Sequence, residues 1–323
     1  MRESAHKTVV MVLFNDMLML DVTGPMDVFS ISNRLLPEDQ HYRLLTVAEH
    51  QTLVRSSCGL KVQADMTLQD LPAGTDLLLV PGGPGAYGVG HPGLTAWLPK
   101  AVKGARRFGA ICTGAFLLGD AGLLDGYRCT THWNYVERLA QRNPGSRVET
   151  EQIYVIDRNL ITSGGITAGI DMALAVVAED HGKDIALEVA KVLLVVMKRQ
   201  GGQTPYGPLL AAVPRDDTAI ARVQAYVVDH IEEPFTVQRM AELAAMSARN
   251  FARAFQREVS LTPMQYVLNA RIDHSRKLLE GSDLPLKVVA CRCGFGSARH
   301  MRKAFSERIG LTPNQYRQQF GGD

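Results

Sequence analysis

Two sets of residues have types and spacing suited to chemistry. The first is the run Phe108-Gly109-Ala110-Ile111-Cys112-Thr113-Gly114-Ala115. An apolar strand-like stretch ends at Cys112 and a helical pattern starts at once. This is close to the G-x-nucleophile-x-G elbow, with Ala110 for the first glycine and cysteine for serine. A thiol at a helix N-terminus faces free N–H groups and the positive end of the dipole, so the thiolate is expected to be favoured. The turn Pro81-Gly82-Gly83 follows another strand-like run. It can bring a backbone N–H beside Cys112 and form an anion pocket with the Thr113 N–H. The plainer alternative is that Cys112 is a small buried residue at a crowded turn.

The second set is cationic. Over 248–258, Arg249, Arg253 and Arg257 recur at i, i+4 and i+8, whereas Phe251 and Phe255 fall on another stripe and can pack inward. Further on, Arg299, Arg302 and Lys303 cluster outward while Met301 and Phe305 take the core role. Guanidinium groups on a helix fit the major groove, where they bond guanine O6 and N7 or neutralise phosphate. A solvated helix face is the competing reading for any single charged helix. Here the pattern occurs twice. Residues 247–266 and 297–316 are identical at ten of twenty positions, at an offset of 50 residues, which marks a duplicated supersecondary unit.

The elements that must position these residues follow from periodicity. Apolar runs at 8–14, 42–48, 76–80, 107–111, 153–157 and 159–162 read as strands. Helical patterns lie between them at 20–33, 92–104, 113–121, 132–141, 167–180 and 184–198. That alternation predicts an α/β doubly wound parallel sheet, flavodoxin-like, over 1–199. Residues 200–216, rich in Gly and Pro, read as a linker. Beyond it, 217–323 reads as an all-α domain with two helix-turn-helix units. Thr236 and Ser247 cap the first pair of helices, and Ser297 caps the second helix of the second pair, after the turn Cys293-Gly294-Phe295-Gly296. Between the pairs, 263–279 reads as a helix about 25 Å long. Such a rod can set two recognition helices into successive major-groove faces about 34 Å apart.

Composition agrees with this division. The chain has 323 residues, 46% hydrophobic and 21% charged, with a formal net charge of +2. The near-neutral sum hides an asymmetry. Residues 217–323 hold 15 Lys+Arg against 11 Asp+Glu, and 1–216 hold 20 against 22. A basic module joined to a slightly acidic one is expected of a nucleic-acid binder with a second domain. The five cysteines are odd in number and scattered, no apolar run reaches the length of a membrane span, and the start lacks a signal-peptide core. A reducing cytoplasm is therefore the expected location. Cys291-x-Cys293 is too short for a zinc knuckle and no Gly-Lys-Ser/Thr follows Gly82-Gly83-Pro84-Gly85, so neither a metal nor a nucleotide is expected.

Residues 219–320 resemble the AraC/XylS family of transcription factors, which carry two helix-turn-helix units joined by a linker helix. The likeness is carried by Leu243–Ser247, Arg253-Ala254-Phe255, Leu261-Thr262-Pro263 and Arg271, then by Val289-Ala290, Cys293-Gly294-Phe295, Lys303-Ala304-Phe305, Leu311-Thr312-Pro313 and Tyr316-Arg317. On that resemblance base-edge contacts come from Arg249, Asn250 and Arg253, and from Arg299, His300 and Lys303, with Arg257 and Arg302 on the same faces. Lys303 stands where the family often has Arg, keeping the charge without the bidentate fork.

Residues 8–180 resemble the PfpI-type, glutamine-amidotransferase-like superfamily. The motifs are Asp21-x-x-Gly24-Pro25-x-x-Val28-Phe29, Val80-Pro81-Gly82-Gly83, Ala110–Ala115 and Thr130-Thr131-His132-Trp133. Members include proteases, glyoxalases and isocyanide hydratases, in which an acid sits against the elbow cysteine; Asp21 matches that acid. Protease-type members place His directly after Cys, and Thr113 holds that slot here. Cys112, Asp21 and His132 are thus a degenerate candidate for a triad.

The two resemblances occur together in the GlxA-like AraC-family regulators. There the amidotransferase-like domain is implied to be an effector sensor and dimerisation domain rather than an enzyme, and several members respond to small amine-containing metabolites. The implied ligand pocket is Asp21, Gly82, Gly83, Cys112, Thr113, His132 and Trp133, with Asp21 and Trp133 suited to a cation. The expectation is a cytoplasmic homodimer that binds double-stranded promoter DNA, with activation favoured over repression, no cofactor, no metal and no membrane partner. The alternative is a Cys-dependent hydrolase or hydratase with a DNA-binding tail.

Overall fold

The computed structural model describes residues 6–50, 52–88, 90–195 and 218–321. The chain divides into two compact units, Met1–Arg199 and Gln200–Asp323. The expected linker, 200–216, lies outside the described residues.

The first unit runs β1 (Lys7–Leu13), α1 (Met19–Asn33), β2 (Tyr42–Ala48), β3 (Leu53–Arg55), β4 (Lys61–Gln63), β5 (Met66–Thr67), β6 (Leu77–Val80), α2 (Pro92–Lys103), β7 (Arg107–Ile111) and α3 (Ala115–Asp120). It continues with β8 (Arg128–Cys129), α4 (Val136–Arg142), β9 (Arg147–Val148), β10 (Tyr154–Asp157), β11 (Leu160–Ser163), α5 (Ala168–His181) and α6 (Lys183–Val192). The main sheet has the order β10-β11-β7-β6-β1-β2-β5. Strands β6 and β7 are buried along their whole length, as expected of a sheet covered on both faces. From β1 the chain steps through α1 to β2 on one side, and from β6 through α2 to β7 on the other. Right-handed crossovers then set α1 and α2 on opposite faces. Helices α1, α5 and α6 pack together, and α3 packs with α2 and α4. The order of strands reverses between β1 and β6, so the crevice at their carboxyl ends is the place for a ligand.

The sheet departs from the all-parallel expectation at one edge. Strand β10 pairs antiparallel with β11. Only Arg158 and Asn159 join the two, and a two-residue connection makes a hairpin, never a parallel crossover. Two helices also start later than their periodicity suggests. The expected helix 113–121 opens as a 3-10 turn over Cys112–Gly114 before α3, and 132–141 opens as a 3-10 turn over Trp133–Tyr135 before α4. In the second case the His132 ring accepts the Asn134 N–H, holding the chain in a cap rather than a helix. Strands of two or three residues, such as β5, β8 and β9, are too short to show a period.

The second unit comprises α7 (Ala219–Asp229), α8 (Val237–Leu243), α9 (Ala248–Val259), α10 (Pro263–Gly281), α11 (Leu286–Arg292), α12 (Ala298–Ile309) and α13 (Pro313–Phe320). Its caps are those anticipated from the sequence. Thr236, Ser247 and Ser297 each accept a backbone N–H three residues on. Thr262 with Gln265, and Thr312 with Gln315, form full capping boxes. Phe251 and Phe255 lie in one hydrophobic core, Met301 and Phe305 in another.

The two copies are not superimposable in their turns. After α8, Ala245 is left-handed (φ 54°) and Met246 N–H bonds Ala241 O; after α11, Gly294 is left-handed (φ 71°) and Phe295 N–H bonds Ala290 O. Both are Schellman-type stops. Gly296 then adds one residue before the Ser297 cap, where Met246 leads straight to Ser247. Farther on, Ser260 (φ 61°) and Gly310 (φ 77°) occupy matching left-handed stops. The first copy thus bears a Cβ where the second has glycine. Left-handed backbone costs a non-glycine residue about 1 kcal/mol or more. Ala245→Gly is expected to raise stability by up to about 1 kcal/mol. Gly294→Ala is expected to cost more, since its Cβ would lie 2.4 Å from Ile231 O and 2.9 Å from the Arg271 guanidinium. Thermal melts of the two variants check the opposite signs.

Candidate functional site

The elbow is built where the chain leaves β6 and β7. Cys112 has φ 55°, a left-handed conformation for a residue with a side chain. Such strain at a strand-to-helix turn projects the thiol off the sheet. Close backbone approach holds it there. A Cβ on Gly82 would lie 2.7 Å from Asp21 Oδ2, 2.7 Å from Thr113 N and 2.8 Å from Cys112 Cβ; a Cβ on Gly114 would lie 2.3 Å from Val80 O. Behind the elbow, Thr131 Oγ1 donates to Cys112 O at 2.7 Å and Cys112 N–H bonds Gly164 O at 3.1 Å.

The structure therefore brings Asp21, Gly82, Gly83, Cys112 and Thr113 together. It does not leave the expected anion pocket open. Gly82 N–H donates to Asp21 Oδ2 at 2.9 Å and Gly83 N–H to Thr113 Oγ1 at 2.9 Å, so both turn donors are already used. Nor is the thiolate favoured. Burial pushes the Cys112 thiol up to about 12, with the Asp21 charge adding to it, and the N–H groups of Thr113 and Ile166 only partly offset this. Desolvation outweighs the helix N-terminus, because the turn is closed over the sulfur. Asp21 is itself fully buried, and burial lifts its carboxyl to about 7 against the single Gly82 hydrogen bond. Its Oδ1 has no hydrogen-bond partner among the described residues.

His132 and Trp133 lie to one side. His132 Nδ1 accepts the Asn134 N–H at 3.2 Å, and its ring presses on Gly165, where a Cβ would lie 2.4 Å from Cδ2. Burial depresses its pKa. Trp133 is half-buried and leans on the His132 ring at 5.3 Å. Among the described residues no hydrogen bond joins His132 to Cys112, so the triad stays unassembled. Two groups were missed. The segment Gly164-Gly165-Ile166, at the turn from β11 into α5, contributes an N–H to the sulfur. Tyr135 and Tyr87, joined OH to OH at 2.8 Å, stand near enough for the Cys112 charge to act on Tyr135. The glycine pair is the signal for the first, and the aromatic content of its stretches for the second.

In the second unit the cationic residues share the solvent faces of α9 and α12. Arg249, Asn250, Arg253, Arg257, Arg299, His300, Arg302 and Lys303 are all exposed. Arg257 pairs with Glu258 at 3.5 Å and Lys303 with Glu307 at 3.9 Å. Such exposed pairs are worth little and give way easily to phosphate. Arg249, Arg253, Arg299 and Arg302 have no carboxylate partner among the described residues. His300 stands edge-on to the buried Phe295 ring, 5.7 Å away, which orients it.

Comparison with known proteins covers both units. Residues 7–179 match the model of the DJ-1/PfpI family, and residues 240–319 match a helix-turn-helix domain model. The chain is 34% identical over 251 residues to the HTH-type transcriptional regulator CdhR of Pseudomonas aeruginosa, covering 76% of this chain and 72% of that one. A match of that length exceeds either unit alone. It is 38% identical over 175 residues to an isonitrile hydratase of Pseudomonas putida, covering 54% of this chain and 72% of that one, a length that a single unit can hold. A crystal structure of an AraC family transcriptional regulator from Pseudomonas putida matches at TM-score 0.51 and 26% identity, covering 58% of this chain and 99% of that one.

The raised Asp21 carboxyl makes stability depend on pH. Its folded value of about 7 lies above the ordinary 3.8. Its favourable contribution is present below pH 4 and is lost as pH rises through 7, a change on the order of 4 kcal/mol. Asp21→Asn keeps the acceptor for Gly82 and removes the titration. It is expected to melt near the wild-type temperature at pH 4.5 and well above it at pH 8. Parallel melting curves across that range would show that Asp21 is already ionised at pH 4.5 in the folded state.

Proposed function

We propose, because this chain belongs to the DJ-1/PfpI family and is a DNA-binding transcriptional regulator with an AraC-type helix-turn-helix domain, that its first unit senses a small metabolite and joins two copies while its second unit reads promoter DNA. The domains are 1–199 and 217–323, joined by 200–216. The observation that carries the DNA reading is the pair of outward cationic faces on α9 and α12, matched between duplicated helices. Arg249, Asn250 and Arg253 on the first helix, and Arg299, His300 and Lys303 on the second, are the base-edge readers. Arg257 and Arg302 serve the backbone. A homodimer would present four recognition helices and gain affinity through effective concentration. The resemblance to GlxA-like regulators favours activation over repression and a cytoplasmic location.

The effector reading is an amine-containing metabolite at the elbow, where Asp21, Gly82, Gly83, Cys112, Thr113, His132 and Trp133 are the pocket. An effector of this kind acts only through different affinities for two arrangements of the protein. Chemistry at Cys112 is the competing role. A thiol held near 12 is protonated at neutral pH, which speaks for a regulator's scaffold rather than a nucleophile.

Arg253→Ala is expected to cost about 1–3 kcal/mol in operator binding and to relax preference at one base step. Equal weakening on every sequence would make Arg253 a phosphate contact. Cys112→Ser is expected to leave operator binding and transcription unchanged. A loss of regulation together with loss of turnover of an isocyanide would restore the hydratase reading.

A further inference from the structure

We propose that a cavity at the carboxyl ends of β1 and β2 is a second small-molecule site on the first unit, and that it takes a protonated primary or secondary amine. This rests on reading that unit as a sensor, and it gives the ligand a place away from the elbow. The cavity has a volume of about 270 Å³, just below the ~300 Å³ at which drug-sized ligand sites begin and so suited to a smaller molecule. Leu13, Phe14 and Val54 supply apolar wall, and Asn15, Glu49 and His91 supply polar wall.

The deciding observation is a pair of acceptors that face each other. His91 Nε2 lies 3.0 Å from Gly85 O. A carbonyl can only accept, so Nε2 carries the hydrogen and Nδ1 of the neutral ring presents a lone pair. That Nδ1 stands 3.9 Å from Glu49 Oε2. With the ring neutral, neither atom has a hydrogen to offer the other. An ammonium nitrogen about 2.9 Å from each would donate to both and place its positive charge against the carboxylate. Its carbon chain would lie along Phe14, whose ring is 5.2 Å from the His91 ring. The neighbouring His50–Glu49 contact at 3.4 Å involves an imidazole that is 77% exposed, and a pair so open to water does not occupy the carboxylate. The contrast with the elbow is direct. There the Gly82 and Gly83 donors are already matched, whereas here no hydrogen bond among the described residues supplies His91 Nδ1 or Glu49 Oε2 with a donor. A quaternary ammonium has no N–H to give, and an alcohol has no charge.

The test uses the full chain with ¹⁵N-labelled histidine at pH 7.5, titrated with n-propylammonium chloride. Tetramethylammonium chloride and 1-propanol at matched ionic strength are the controls. The expected result is a saturable shift of the His91 Nδ1 resonance with propylammonium alone. The apparent affinity should fall at least tenfold in Glu49→Gln, stay within a fewfold in Glu49→Asp, and be unchanged in Asp27→Asn, an exposed carboxylate elsewhere. An equal response to tetramethylammonium overturns the proposal, as does wild-type affinity in Glu49→Gln. A His91 ring already doubly protonated without amine overturns it too, because the ring would then satisfy Glu49 itself. Binding lost in Asp21→Asn but kept in Glu49→Gln moves the amine to the elbow, which sinks this site and leaves the sensor reading intact. Saturable binding at Glu49 with no change in operator affinity supports the site and sinks the sensor reading.

Discussion

One helix holds the DNA-binding unit together. A helix-turn-helix alone buries too little surface to be stable, and α10 solves this by serving two cores at once. Tyr266, Val267 and Ala270 belong to the first core, Ile272 and Leu279 to the second. Its 19 residues make a rod about 28 Å long at 1.5 Å per residue. The relative placement of α9 and α12 follows from that rod. Near its middle, Arg271 donates to Glu233 O at 2.7 Å and to Ile231 O at 3.4 Å. The same guanidinium lies against Gly294 in the turn of the second pair. A half-buried cation is costly unless its donors are matched, so Arg271 ties the loop before α8 to the turn after α11. Farther along, Arg276 donates to the Tyr316 hydroxyl at 3.0 Å, fixing α13 to the same rod.

The first unit is organised by a different constraint, the close approach of two turns. Gly82 and Gly114 let the ends of β6 and β7 come within van der Waals distance, and Asp21 fills what remains. The elbow geometry of a cysteine enzyme is kept, while the electrostatics run the other way. A nucleophilic thiolate needs a neighbouring positive charge or an open helix terminus. Here the ionisable group acting on the thiol is the Asp21 carboxyl, and the cysteine is buried. Both the regulator CdhR and the isonitrile hydratase share identity with this chain. The scaffold does not decide between such roles; the groups around the sulfur do.

Much of this was legible in the sequence because it rests on local rules. The long strands, the capped helices and the inward side chains of Phe251, Phe255, Met301 and Phe305 follow from period and cap chemistry alone. The Cys112 elbow was legible as a shape. Its acidity was not, since burial is a property of the assembled sheet and overrode the helix terminus. The antiparallel turn of β10 depended on a two-residue connection whose left-handed Arg158 carries no glycine signal. His132 was placed near the pocket by motif, but its ring was taken by a local cap to Asn134, a competition that Ser, Thr, Asn and Asp announce more openly than His. The Glu49–His91 pair joins residues from separate elements, and nothing in their spacing foretold it.

The duplication carries a last consequence. The two copies share serine caps, left-handed stops and one core ring, Phe255 and Phe305, yet they differ on their exposed faces. Asn250 offers the donor and acceptor pair that matches adenine, whereas His300 does not. Arg253 offers a planar fork, and Lys303 a single rotatable charge. Gly296 adds a residue immediately before the second recognition helix, and the Phe295 ring then steers His300. A unit built by doubling would read two identical half-sites if the helices had stayed alike. These differences sit on the exposed faces, whereas the buried positions changed within apolar types, Phe255 matching Phe305 and Phe251 giving way to Met301. If these faces read bases as proposed, the operator half-sites under α9 and α12 should accordingly be unlike in sequence, with an adenine contact under Asn250 that His300 does not reproduce.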